Sequence, residues 1–204
     1  MTRLQAGAAA LGVALDAAQC DRLLAYLELL DKWNRAYNLT AVRDRGAMLG
    51  YHLLDSLSAL QSLHGSRVLD IGSGAGLPGI PLAIACPERR FVLLDSNGKK
   101  TRFCVQAVGE LGLGNVAVER SRIEDYRPAQ PFDTVISRAF ADIGRFAAAA
   151  GPLLAPGGRL VAMKGRLPDK DIKGLPAGFE VNAIKPVEVP GVNAERHLVE
   201  VRAL

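Results

Sequence analysis

Cysteine is scarce in this chain, long apolar runs and a strong charge of either sign are missing from it, and each shortage argues against a class of protein. Cys20, Cys86 and Cys104 are the only cysteines. Their odd number, with no CxxC spacing among them, excludes a disulfide framework and a zinc site, and it fits a reducing cytoplasm. No apolar stretch approaches the ~20 residues that a helix needs to cross a bilayer, so a soluble protein is expected. The apolar run from Ala6 to Leu15 after Arg3 has a signal-like look, but Gly7 and Gly12 interrupt it and its spacing is helical. The net charge of +4 favours a polyanionic partner without requiring one. Internal repeats and low-complexity tracts are absent too. What remains is 204 residues, 49% hydrophobic and 23% charged, the balance of one globular unit with a substantial core.

The first 64 residues read as a helical extension. Thr2 and Gln5, then Asp16 and Gln19, have capping-box spacing and mark two helix starts. The first helix carries Leu4, Ala8, Leu11 and Leu15 at nearly helical intervals, and the second buries Leu23, Tyr26, Leu27, Leu30 and Tyr37. A third helix is expected over Ala47 to Leu63, burying Leu49, Leu53, Leu57 and Leu60, with His52, Asp55 and Ser56 on its opposite face. From residue 65 to 204 the pattern changes to short apolar runs alternating with helical segments, the mark of a parallel sheet covered by helices. Strands are expected at Arg67 to Ile71, Phe91 to Asp95, Val116 to Glu119, Thr134 to Ser137 and Arg159 to Lys164. The helices between them run from Pro78 to Ala85, Lys99 to Leu111 and Ile143 to Leu154. Two more strands, around Phe179 to Val189 and His197 to Arg202, lack room for a crossover helix and should form a hairpin. The Pro- and Gly-rich stretch from Gly165 to Gly178 reads as a loop.

Chemistry concentrates where the first strand ends. Val68-Leu69-Asp70-Ile71-Gly72-Ser73-Gly74-Ala75-Gly76-Leu77-Pro78-Gly79 is a strand entering a glycine bend and then a helix. Glycines 72, 74 and 76 permit positive φ and bring backbone amides beside a helix N-terminus, where they can hold an anionic group. Dinucleotide enzymes use GxGxxG in the same place, but here position 77 is Leu. Asp70 before the bend would repel a pyrophosphate and attract a cationic ligand. A Pro156-Gly157-Gly158 turn leading into the fifth strand is similar to the one common in class I methyltransferases. Asp95 ends the second strand and suits ribose hydroxyls. Ile123 and Glu124 beyond the third strand form an apolar-plus-polar pair suited to a nucleobase. The cofactor candidates are therefore Gly72, Ser73, Gly74, Gly76, Leu77, Asp95, Ile123, Glu124 and Arg138; nothing calls for a metal.

The methyl acceptor leaves traces as well. Carbon-5 pyrimidine methylation needs a cysteine nucleophile, and the three cysteines lie away from the strand ends. Exocyclic amine methylation favours an Asn/Asp-Pro-Pro-aromatic loop after strand four, where this chain has Ile136-Ser137-Arg138-Ala139-Phe140. A guanine N7 carries a lone pair and needs no general base, only positioning. Arg138, at the carboxyl edge of the sheet, is the candidate for orienting cofactor or phosphate. Arg120, Arg122, Arg127, Lys164 and Arg166 cluster near the same edge; Arg122 and Lys164 are the candidates for contact with an RNA backbone. Trp33 and Tyr37 are candidates for stacking on a base, with core packing the stronger role for Trp33.

These residues resemble the glucose-inhibited division protein B family of 16S ribosomal RNA guanine-N7 methyltransferases. The resemblance rests on Trp33-Asn34, Asn38-Leu39-Thr40-Ala41, His52-Leu53-Leu54-Asp55-Ser56, the bend from Gly72 to Gly79, Ser121-Arg122-Ile123-Glu124 and Ser137-Arg138-Ala139. It covers nearly the whole chain, with Asn97-Gly98 departing from the family's usual residues before Lys99-Lys100. It implies a class I S-adenosylmethionine-dependent methyltransferase fold, Rossmann-like, with a mostly parallel seven-stranded sheet. It also implies that Gly72, Leu77, Ile123, Glu124 and Arg138 contact S-adenosylmethionine, and that the substrate is a guanine in the 530 loop of 16S RNA, free or in the small ribosomal subunit. A cytoplasmic monomer is expected. Two rivals remain open on the residues alone: a nicotinamide-dependent oxidoreductase, and an adenosylmethionine-binding regulatory or RNA-binding protein without turnover.

Overall fold

The computed structural model describes residues 2–140, 142–166 and 174–204. Thr2 and Asp16 cap the first two helices, α1 (Arg3–Ala10) and α2 (Ala17–Tyr37), and both capping boxes with Gln5 and Gln19 are formed. Each box satisfies two backbone donors that the first helical turn would otherwise leave unpaired. α1 stops short of the expected run because the chain turns at Gly12, whose φ is 72°; Leu11 and Leu15 still pack at the core margin. α2 buries Leu23, Tyr26 and Leu30, but Tyr37 is 47% exposed. The helix ends there, with Asn38 in the left-handed conformation as its cap, so its last turn overhangs the core.

The expected third helix is not one continuous α-helix. α3 (Arg45–Met48) passes into a π-helical stretch, Leu49–Leu54, then into the single turn α4 (Asp55–Leu57) and a 3-10 turn, Leu60–Ser62. An extra residue in a helical turn rotates everything after it by about 100° around the axis. The segment is also enclosed on all sides, so His52, Asp55 and Ser56 are buried as well as Leu53, Leu54 and Leu57. The polar face that the sequence set opposite the leucines faces protein, not solvent.

Seven strands form one sheet in the order β3-β2-β1-β4-β5-β7-β6. β1 (Arg67–Ile71) pairs in parallel with β2 (Arg90–Leu94) and β4 (Phe132–Ser137); β2 pairs with β3 (Val116–Glu119) and β4 with β5 (Leu154–Lys164), both parallel. β6 (Phe179–Pro186) and β7 (His197–Ala203) make the anticipated hairpin, with β7 inserted antiparallel against β5. α5 (Gly79–Ala85), α6 (Gly98–Glu110) and α7 (Ile143–Ala150) connect the strands. The middles of the central strands are largely apolar because helices cover both faces: Val68, Leu69, Leu93, Val135, Ile136, Leu160 and Val161 are all buried.

α7 ends before the expected Leu154, and β5 begins at that residue, reaching back through the Pro156-Gly157-Gly158 turn. The β4–β5 register shifts there. A Cβ at Gly158 would lie 3.0 Å from the Phe132 carbonyl oxygen and 3.1 Å from that of Asp133, so the bare backbone is what lets the two strands stay paired across the irregularity. Of the loop expected from Gly165 to Gly178, residues 167–173 lie outside the described residues.

The helical extension is not a separate layer. Leu4, Leu23, Leu30, Leu53 and Leu57 share one apolar cluster with Ile80, Leu93, Phe103 and Leu113 of the sheet region. α1 and α2 thus lose their apolar faces to the same core that supports the end of β1.

Candidate active site

The sheet order reverses between β1 and β4, and open α/β sheets bind ligands in the crevice at such a point, beyond the carboxyl ends of the strands. The glycine bend lies there. Gly72, Gly74 and Gly76 have φ of 67°, 59° and 83°, a region closed to most side chains. A Cβ on Gly72 would come within 2.7 Å of the Ala139 Cβ, so glycine also lets the segment leaving β4 pack directly on the bend. Ser137 reinforces this seam, its hydroxyl donating to the Ile71 carbonyl at 2.7 Å and accepting from the Ala139 amide. Arg138 lies between those two residues, one position from the bend.

The amide cradle expected for an anion is otherwise employed. The amides of Gly72 and Ser73 donate to the Leu94 carbonyl, that of Gly74 to Asp95 Oδ2 at 2.9 Å, and those of Gly76 and Leu77 to the Ser73 carbonyl. The bend is therefore a rigid, shaped backbone held by β2. Its glycines serve close approach more than anion binding. Asp95 accepts at both oxygens, from Gly74 and from the Asn97 amide at 2.8 Å, and a carboxylate's four lone-pair sites leave two for ribose hydroxyls. Asn97, the residue at which the resemblance departs, caps α6 by accepting from the amides of Lys99 and Lys100.

Asp70 is fully buried, and its Oδ2 accepts from the Gly79 amide at 2.9 Å, tying β1 to the start of α5. Burial pushes its carboxyl up to about 7, against the opposing effects of that amide and of the Arg138 charge. Two buried polar atoms at this bend, Asp70 Oδ1 and Ser73 Oγ, have no hydrogen-bond partner among the described residues. Buried polar groups are ordinarily paired, so these two mark where a polar ligand would be satisfied.

Two supports of the bend were not anticipated. Tyr26, fully buried on α2, donates from its hydroxyl to the Ala75 carbonyl at 2.7 Å, and Cys104 on α6 donates from Sγ to the Gly74 carbonyl at 3.4 Å. Nothing in an amphipathic pattern marks which core tyrosine carries a polar contact. The aromatic ring packs as any apolar group would, and its partner is a backbone atom. Burial raises the Cys104 thiol well above its ordinary range and the Cys86 thiol to about 11. All three cysteines are free and buried, and a thiol so shifted is a poor nucleophile.

Beside the bend, Arg138 joins a second cluster. Asp55, 3% exposed, lies between Arg138 Nη2 at 3.4 Å and Arg196 Nε at 2.7 Å. Lys164, buried at the end of β5, lines the same cavity of about 220 Å³. Arg196 carried no sequence signal; it comes in on the β6–β7 connection, some 140 residues from Asp55, and only the hairpin brings it there. His52 pairs through Nε2 with the Thr40 hydroxyl at 3.1 Å, and Ser56 donates to the His52 carbonyl. Burial first, and Arg138 second, lower the His52 pKa to about 4, leaving the ring neutral at pH 7. The polar trio of the third helix is thus split between an internal network and the cavity wall.

The remaining candidates are more dispersed. Ile123 and Glu124 lie on a 3-10 turn (Ile123–Asp125), Ile123 partly buried and Glu124 exposed. They border a cavity whose other walls include Pro128 and Pro152. Arg122 is exposed just before that turn; Arg127 is tied back to the carbonyls of Glu124 and Tyr126. Trp33 packs half-buried against Phe103, with the exposed Tyr37 ring 5.2 Å away. Among the described residues no cluster of His, Cys, Asp and Glu could hold a metal ion, and no helix is long and apolar enough to cross a membrane.

The same fold recurs in solved methyltransferases. The glycopeptide N-methyltransferase MtfA, solved with S-adenosyl-L-homocysteine, superposes with a TM-score of 0.64 at 13% identity, covering 75% of this chain and 87% of that one. A putative methyltransferase from Thermoplasma acidophilum superposes at 0.55 with 16% identity, over 68% of each chain. These likenesses establish the class I methyltransferase fold. The family model for rRNA small subunit methyltransferase G matches residues 19–199. The chain belongs to that family. A member from Nitrosococcus oceani is 55% identical over 98% of this chain and 93% of its own length, and one from Laribacter hongkongensis is 53% identical over 97% and 95%. Membership identifies the chain as a methyltransferase and disposes of the oxidoreductase alternative. The residues that carry the resemblance fall on the end of α2 and the loop after it, the π-helical segment with α4, the glycine bend, the 3-10 turn at Ile123 and the exit of β4.

Proposed function

We propose that this chain transfers a methyl group from S-adenosylmethionine to N7 of a guanine in the 530 loop of 16S ribosomal RNA, acting in the cytoplasm as a monomer on free RNA or on the small subunit. The observation that carries the reading is the pair of buried atoms without a hydrogen-bond partner among the described residues, Asp70 Oδ1 and Ser73 Oγ, at the glycine bend. The residues present fit the cofactor. Asp70 would hold its cationic amino-acid end, Asp95 keeps acceptor capacity for its ribose, and Ile123 with Glu124 would suit its adenine. When bound, S-adenosylmethionine supplies an electrophilic methyl on a sulfonium.

The protein's part is positioning. Gly72, Ser73, Gly74, Gly76 and Leu77 shape the floor. Arg138, fixed by Asp55 and one residue from Gly72's contact Ala139, orients the groups that meet there. N7 bears its lone pair in the neutral base, so no side chain has to remove a proton. That suits a site whose buried histidine is neutral and whose cysteines are masked. Arg122 and Lys164 are assigned to the RNA side, Arg122 to a phosphate at the rim and Lys164 to the cavity wall. Residues 1–64 are read as an extension that folds as one compact unit with residues 65–204.

The test is transfer of tritiated methyl from S-adenosylmethionine to purified small-subunit RNA, followed by mass mapping of the labelled fragment. One methyl on a guanine N7 in the 530 loop is expected. Label on another base or atom overturns the acceptor assignment, and tight binding of the cofactor with no transfer leaves the regulatory alternative standing.

A further inference from the structure

The cavity beside the glycine bend is built for an anion. Its wall carries Arg138, Lys164 and Arg196, with Asp55 as the carboxylate between the two arginines. The two arginines against one carboxylate leave an excess of positive charge around about 220 Å³. Arg138 Nη1 is buried with no hydrogen-bond partner. Arg196 is held on three sides, by Asp55 Oδ1 through Nε, by the Glu195 carbonyl through Nη1, and by the Tyr51 ring 5.8 Å from its guanidinium. His197 is fixed as well, since its Nδ1 meets the Gly165 carbonyl at 2.8 Å and must carry the proton there. Among the described residues the ring at the cavity is the His197 imidazole, fixed in place by that hydrogen bond, and two guanidinium groups in fixed orientation match a tetrahedral oxyanion.

We propose that this cavity is a phosphodiester subsite for the RNA strand carrying the acceptor guanine, with Arg196 and Arg138 as its ligands and Asp55 as the positioning residue that holds both. The proposal rests on the RNA methyltransferase reading above. Asp55 never meets the phosphate. It keeps two guanidinium groups side by side that would otherwise repel each other, and it does so from α4, directly after the π-helical segment, which makes the N-terminal extension part of the acceptor site. The subsite adjoins the cofactor bend through Arg138, so a strand gripped there presents its neighbouring base toward the seam between β1 and β4.

The experiment compares wild type with Arg196→Gln, Arg196→Lys and Asp55→Asn. It measures adenosylmethionine affinity by calorimetry, KM and kcat on purified small-subunit RNA, and the salt dependence of RNA binding. Arg196→Gln should raise the RNA KM about tenfold or more, leave cofactor affinity at the wild-type value, and flatten the logarithmic salt slope by about 0.7, the share of one phosphate on a single strand. Arg196→Lys should keep the slope but lose part of the affinity, because an ammonium cannot reproduce the fork. Asp55→Asn should move KM in the same direction, and combining it with Arg196→Gln should cost less than the two single effects multiplied, as expected of coupled residues. The proposal is overturned by a wild-type slope and KM in Arg196→Gln, or by independent effects of Asp55 and Arg196. Should Asp55→Asn not fold, the Arg196 pair decides alone. A methyl found on a different base would overturn the function proposed above, while the slope would still report on the subsite.

Discussion

Replacing Tyr26 by Phe tests whether the N-terminal helices hold the cofactor bend or merely cover it. The ring is fully buried, 6.2 Å from that of Phe103, and Phe keeps it, so neither a cavity nor lost apolar area enters the comparison. The change removes one donor, the hydroxyl 2.7 Å from the Ala75 carbonyl. Ala75 is itself 4% exposed, and water has little access to replace the lost partner. A buried acceptor left unpaired costs ~1 to 3 kcal/mol, so the variant should lose about that much stability in urea denaturation. Part of the same free energy should appear as weaker adenosylmethionine binding in calorimetry, because the peptide between Gly74 and Gly76 is free to tilt. Leu at this position would add a packing loss of a few kcal/mol and should show the larger drop. Stability within ~0.5 kcal/mol of wild type together with unaltered cofactor affinity would refute the reasoning, since ordinary neutral substitutions fall in that range.

Asp95→Ala should cost stability through the amides of Gly74 and Asn97 and weaken adenosylmethionine binding by ~1 to 3 kcal/mol; calorimetry with undiminished affinity would remove Asp95 from the ribose. Asp70 holds its proton up to about pH 7 when folded, against 3.8 ordinarily, so its contribution to stability is complete below pH 4 and is lost as pH rises toward 7. His52, lowered from 6.5 to about 4, acts in the opposite sense, its contribution being lost as pH falls through that window. The stability of wild type relative to Asp70→Asn in the apoprotein should therefore decline between pH 4 and 7, by about 4 kcal/mol at the upper bound, and a difference that does not vary with pH would contradict the assignment. Arg122→Gln should make RNA binding less salt-dependent by about 0.7 to 0.9 in the logarithmic slope, with no change in circular dichroism; an unaltered slope would take Arg122 off the RNA. A chain lacking residues 1–64 should be insoluble or molten, because the cluster joining Leu23 and Leu53 to Phe103 and Leu93 would open to water. A cooperative thermal transition in that fragment would separate the two regions.

Much of the architecture was readable from local rules. Capping boxes located α1 and α2, alternation of apolar runs with helical stretches gave five parallel strands, and the short connection between the last two gave their hairpin. The glycine bend was readable because chirality excludes nearly every other residue from its backbone. The errors cluster where neighbours override local preference. Helical spacing cannot register an inserted residue or an enclosing neighbour, so the π-helical segment and the burial of His52, Asp55 and Ser56 were missed. Strand patterns stop at Pro-Gly-Gly, yet pairing with β4 carries β5 back through it.

Sequence by itself determined the strand, the bend and the identity of Asp70, Asp95 and Arg138, because those depend on residue chemistry and on contacts within a few positions. Only the tertiary structure decided what the bend leans on and what stands beside Arg138. Tyr26 lies 49 residues from Ala75, and Asp55 lies 141 from Arg196. Such contacts follow from how buried apolar faces bring the α2 helix, the π-helical segment and the β6–β7 connection together. Packing of that kind is a property of the whole core and leaves no mark in any one stretch of chain.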